Sequence, residues 1–268
     1  MDLDGSATVG AVTTDQAVGA DTSLDPVGVV WYGFLAWWGF LAALLVVLPP
    51  VVVAVAFARC DIGGEGLGGG AEFAALSLCG AGYAVYAVAG VLAFVGVAGI
   101  LLALAALIPP PLYAADFVRW AAAGQVVGML AFVMRLVLLN RTPGPGADPV
   151  AQQAFAVGFG GWLFLLDAAM ATALVMQAIG FIVAAVVTWR WEAAIGPRWL
   201  AVWLGLVALV CLVVALDLAA GCLCLIGLGA LSGPPVLIAY VVVLAGACVA
   251  LAFVSRQALR PSPPVRSG

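Results

Sequence analysis

Six apolar stretches, each near or above the roughly 20 residues that a helix needs to cross a bilayer, fill most of this chain. They run from about Val30 to Ala58, Tyr83 to Ile108, Trp120 to Leu139, Trp162 to Trp189, Trp199 to Leu218 and Val236 to Val254. Such runs leave a chain little choice but lipid. Composition agrees: 66% of the 268 residues are hydrophobic and 8% charged, against roughly 45–50% and about 25% in an average soluble domain. The expected fold class is all-α, a polytopic membrane helix bundle with about six transmembrane helices. Residues 28–255 form the expected transmembrane domain.

The ends differ in character. Residues 1–27 carry five aspartates and no basic residue, the reverse of a secretory or mitochondrial leader, and read as a disordered acidic tail. Residues 256–268 form an Arg- and Pro-rich C-terminal tail. Basic residues are enriched on the cytoplasmic side of a membrane protein. With the N-terminus inside, Arg119, Arg190, Arg198, Arg256, Arg260 and Arg266 are cytoplasmic, and Arg59 and Arg141 are outside. The opposite orientation inverts that ratio, so both termini are expected in the cytoplasm. Trp120, Trp189, Trp191, Trp199 and Trp203 then gather at the inner interface, where amphipathic rings prefer to sit.

Several features of the runs predict local structure. "LPP", Leu48 to Pro50, puts two prolines inside the first helix, where each removes an amide donor and favours a packing kink. "PPP", Pro109 to Pro111, ends the second helix. The apolar runs Phe73 to Ile108 and Ala154 to Trp189 exceed one upright crossing and fall short of a hairpin. Each is read as one crossing with an interfacial extension. "GQVVG", Gly124 to Gly128, is a small-xxx-small face suited to close helix approach.

The missing residue types exclude more chemistry than the present ones suggest. There is no histidine, which removes imidazole-ligated haem or zinc, His-based triads and His proton relays; all nine basic residues are arginine, so no Schiff base can form. No catalytic residue, metal site or cofactor is expected. The Gly-rich "GGEGLGGG" lacks the Lys-Ser/Thr of a phosphate loop, and "NRT" at Asn140 is followed by proline.

Four of the six cysteines fall on the inferred outer face. Cys60 and Cys79 flank the first loop and form a candidate disulfide, worth roughly 3 kcal/mol by loop entropy. Cys222 and Cys224 are rival partners for either. As a redox pair, "CLC" has one intervening residue where the dithiol motif has two. Cys211 and Cys248 lie mid-helix and read as small buried hydrophobes.

Two opposite charges lie inside the spans. Arg135 sits four residues, about 6 Å, below the end of the third run at Leu139; Asp167 sits five residues, about 7.5 Å, below Trp162. Their depths match, and intramembrane ionisable groups usually face the interior and pair. Arg135 could instead extend to the headgroups. The candidate intramembrane polar cluster comprises Arg135, Asp167, Asp217 and Gln177, with Gln125 and Gln177 expected to hydrogen-bond between helices.

The stretch from about Ile179 to Arg260, with "GPRWLAVWLGLVALV" and an apolar helix closing in an Arg/Pro tail, resembles uncharacterised six-helix integral-membrane proteins of actinobacteria and other GC-rich bacteria. The resemblance covers about a third of the chain and rests on composition and layout. It implies a multi-pass protein of the bacterial cytoplasmic membrane and assigns no site residue. The sequence is consistent with a non-enzymatic accessory or structural membrane component. Alternatives are a small-solute transporter or channel using the polar cluster and, third, a thiol-disulfide protein using Cys222 and Cys224. The expected partners are the lipid bilayer and a membrane protein or a small solute, with no nucleic acid.

Overall fold

The computed structural model describes residues 26–60, 81–109, 113–141, 148–190, 195–223 and 234–260. These contain six long helices: α1 (Pro26–Cys60), α2 (Ala81–Leu107), α3 (Ala114–Leu139), α4 (Pro149–Arg190), α5 (Arg198–Leu223) and α6 (Pro234–Ala258). No strand occurs among the described residues. All six helices contain a stretch long and apolar enough to cross a bilayer. The chain is therefore a multi-pass integral membrane protein with an all-α bundle fold.

Local chemistry explains where several helices begin and stop. α2 ends just before Pro109, as expected of a residue with no amide donor. α3 is capped at its C-terminal end by Asn140, whose N–H donates to the Leu136 carbonyl at 2.9 Å, while the Arg141 N–H donates to the Leu138 carbonyl at 3.0 Å. α4 opens with Asp148, whose Oδ1 accepts the Val150 N–H at 3.0 Å, followed by Pro149 at the first helical position. α1 continues through Pro49 and Pro50 as one helix. The prolines leave the carbonyls of Leu45 and Val46 without their usual intrahelical donors.

Each helix packs chiefly on its neighbours in chain order, and α1 against α6 closes the set into a ring. Its centre is filled. Phe181 of α4, Leu101 and Leu104 of α2, Leu200 and Leu204 of α5 and Leu251 of α6 are all essentially inaccessible and belong to one continuous apolar cluster. The outward surface is equally apolar: Leu130, Leu165, Leu209, Leu216 and Val242 are well exposed. An aqueous surface could not carry such a continuous patch, whereas lipid tails match it. Association of helices in that setting depends on close fit. In "GQVVG", a Cβ on Gly124 would sit 3.0 Å from the Met176 Cβ, and one on Gly128 would sit 2.8 Å from the Ala173 Cβ, both on α4. The motif is thus the packing face of α3 on α4.

The long fourth run lies in one continuous helix of 42 residues, so its surplus over one crossing continues in the same helix. Asp167 of α4 faces Arg135 of α3. From that level α3 continues four residues and α4 extends eighteen back to Pro149, so α4 projects about 20 Å beyond the end of α3. The corresponding extension of the second run, residues 73–80, lies outside the described residues. So do Cys79, Cys224 and the side chains of Cys60 and Cys222, and with them the disulfide and dithiol readings. Both described cysteine side chains, Cys211 and Cys248, are free thiols buried in the core.

Candidate functional site

Charge is confined almost wholly to the helix ends. The residues that alternate up and down the ring place Arg119, Arg190, Arg198, Arg256 and Arg260 at one end and Arg59 and Arg141 at the other. At the first end Arg119 pairs with Asp116 one turn earlier in α3, Nη1 to Oδ1 at 2.9 Å, and both side chains are exposed. Arg256 lies over the rings of Phe40 and Trp37 of α1, 4.6 and 5.4 Å from the centroids. Guanidinium on an aromatic face is a cation–π contact that also leaves its donors free for headgroups.

Within the spans the structure brings Arg135 and Asp167 together. Arg135 Nε donates to Asp167 Oδ1 at 2.6 Å, a charge-assisted hydrogen bond between α3 and α4. The side chains remain 27% and 22% accessible, so the pair lies at the edge of the interior rather than in its centre. Arg135 is paired, not extended alone to the headgroups. The bridge ties together two helices already in close contact along their length.

The other two members of the candidate cluster lie elsewhere. Gln177 is ten residues beyond Asp167, about 15 Å along α4, and is 1% accessible. Its amide faces the Tyr240 hydroxyl of α6: Nε2 donates to Oη at 3.4 Å, or Oη donates to Oε1 at 3.5 Å. No sequence signal marks Tyr240 as its partner, because α4 and α6 are not neighbours in the chain. Asp217, near the end of α5, is half-buried and makes no ion pair among the described residues. The four residues are one bonded pair and two separate polar positions.

Gln125 does what its place in a span predicts. It is 2% accessible and donates Nε2 to the Ala173 carbonyl of α4 at 3.4 Å. Trp38 ties α1 to α2 in the same manner, Nε1 to the Gly96 carbonyl at 3.0 Å. Thr188 returns its hydroxyl to the Ala184 carbonyl in its own helix at 2.8 Å. Among the described residues no buried side-chain nitrogen or oxygen lacks a partner, and no cluster of three or more acidic or cysteine residues could hold a metal ion.

Comparison with protein-family models, curated proteins and solved structures finds no match. The class, a multi-pass integral membrane protein, rests on the six spans and their apolar outer surface.

Proposed function

We propose that the protein is a non-enzymatic accessory or structural component of a bacterial cytoplasmic membrane. The observation that carries this reading is the filled bundle. The apolar cluster runs through all six helices, the buried amides of Gln125 and Gln177 bond from helix to helix, and the Arg135–Asp167 pair bridges α3 and α4 at its edge. A membrane protein that binds a solute usually keeps ionisable groups directed at a water-filled path, with broken helices around the site. Arg135 and Asp167 here neutralise each other between two unbroken helices. Location in a bacterial cytoplasmic membrane rests on the resemblance in layout to six-helix proteins of GC-rich bacteria.

Cysteine accessibility separates this reading from transport. In a chain whose six native cysteines are replaced by alanine, Ala171→Cys, one turn from Asp167, should resist a membrane-impermeant maleimide in open membrane sheets. Asn140→Cys, exposed at the same end of the bundle, should label readily. Labelling of both would reveal a hydrated path to the charges and move the assignment to a small-solute transporter or channel. That second reading draws on the residual accessibility of the Arg135–Asp167 pair.

Both termini are assigned to the cytoplasm on the arginine asymmetry between the two ends of the ring. A reporter enzyme active only outside the cytoplasmic membrane should be silent when fused after Gly268 and active when inserted near Gly68. The opposite pattern would invert the orientation.

A further inference from the structure

Asp217 is a carboxyl group inside a membrane span with no charge of the chain set against it. It lies six residues, about 9 Å, before the end of α5 at Leu223, and every residue between is uncharged. It makes no hydrogen bond or ion pair among the described residues. The amino-acid sequence shows why. α5 packs on α4 and α6, and the basic residues of these three helices, Arg190, Arg198 and Arg256, all lie at the opposite end of the ring. The connecting segments at the Asp217 end, residues 61–80, 142–147 and 224–233, contain no basic residue. Of the arginines at this end, Arg135 is bonded to Asp167. Arg59 and Arg141 belong to α1 and to the end of α3, helices that make no extensive contact with α5.

Asp217 is half-buried and stands on the outward side of α5. Val213, Leu206 and Trp199 precede it by four, eleven and eighteen residues, which the 3.6-residue period places on the same side of the helix. They are 37%, 42% and 44% accessible, so this side meets lipid in the isolated chain. A carboxylate at such a position is costly unless it is paired. Its side chain is too short to follow the route that a long arginine or lysine stem takes to the headgroups. A cation arriving on a neighbouring helix would supply the missing charge and a charge-assisted hydrogen bond, while apolar side chains above and below meet the remaining face.

We propose that this face of α5 docks a transmembrane helix of another integral membrane protein, one that carries an arginine or lysine at the depth of Asp217. The proposal rests on the accessory-component reading and names the chemistry of the partner. A second copy of this chain is a poorer match. The basic residue it holds at a comparable depth, Arg135, is already bonded to Asp167, and its Arg59 and Arg141 lie at or past helix ends.

Energy transfer in phosphatidylcholine vesicles, from the full chain carrying a donor dye to synthetic polyleucine transmembrane peptides carrying an acceptor, tests this. A peptide with one arginine six residues from its end should associate about tenfold more tightly than the all-leucine peptide. Asp217→Leu should abolish that difference although Asp167 is retained. Asp217→Arg should transfer the preference to a peptide with glutamate in place of the arginine. Because no charge of the chain balances Asp217, Asp217→Leu should leave the thermal midpoint of the protein alone in detergent unchanged or raise it, which separates lost binding from lost fold. Equal association of the arginine and leucine peptides, binding that survives Asp217→Leu, or a lowered midpoint in Asp217→Leu would each overturn the proposal. Transfer between donor- and acceptor-labelled copies of the protein that disappears in Asp217→Leu would overturn it in favour of a second copy. Protection of Ala171→Cys from maleimide is measured separately, so failure here with that position protected removes the docking face and leaves the accessory reading in place.

Discussion

Arg135→Leu and Asp167→Leu should each destabilise the protein in detergent by about 2 kcal/mol, and the double variant should recover most of that loss. Breaking a fully buried ion pair costs roughly 3–5 kcal/mol, because the surviving charge is left without a partner in a medium that solvates it poorly. The Arg135–Asp167 pair retains 27% and 22% side-chain accessibility, so solvent and headgroups recover part of the cost. Replacing both partners by leucine removes the uncompensated charge and leaves an apolar contact between α3 and α4. The expected signature is therefore a positive coupling in a double-mutant cycle followed by thermal or SDS-induced unfolding. Additive losses would mean that the two charges are solvated separately. No loss from Arg135→Leu alone would mean that the guanidinium is held by the headgroups rather than by Asp167. A double variant that is stable but inactive in a cellular assay would shift weight to the transport reading.

This pair is legible in the amino-acid sequence because two charges of opposite sign occur at equal depth in consecutive antiparallel spans. Depth can be counted from the end of an apolar run. The helices themselves are legible for a similar reason: run length alone decides that a segment crosses, and the third helix ends at Leu139 in both sequence and structure. The pattern does not reveal which helices are neighbours across the ring. All six are apolar on every face, since core and lipid select the same residue types. Nothing in the pattern around Gln177 points to Tyr240. The axial register of α4 is equally hidden, since an apolar run of 36 residues does not say whether its surplus bends into the interface or continues straight past the neighbouring helix. Asp217 lies at a suitable depth for the pair but makes no ion pair with it, which depth counting by itself cannot foresee.

Gly39 of α1 packs directly against α6, and Gly39→Leu should be the most damaging apolar substitution in α1. A Cβ at Gly39 would lie 2.6 Å from the Cys248 carbonyl oxygen and 2.8 Å from the Ala252 Cβ, both on α6. The nearer atom is backbone, so no rotamer change relieves the clash. The whole of α6 must move away from α1. Between lipid-embedded helices there is little hydrophobic gain to resist such a separation, and affinity comes from the fit of small residues at the point of contact. Forcing four extra side-chain carbons into that point should cost about 3 kcal/mol or more, at the upper end of the range for overpacked cores. Gly33, six residues earlier in the same helix, has nothing within 4 Å of its would-be Cβ. Gly33→Leu should therefore be neutral or stabilise by up to about 1 kcal/mol through helix propensity. SDS titration of the two variants reads the difference directly. Equal midpoints would show that α1 does not approach α6 at Gly39.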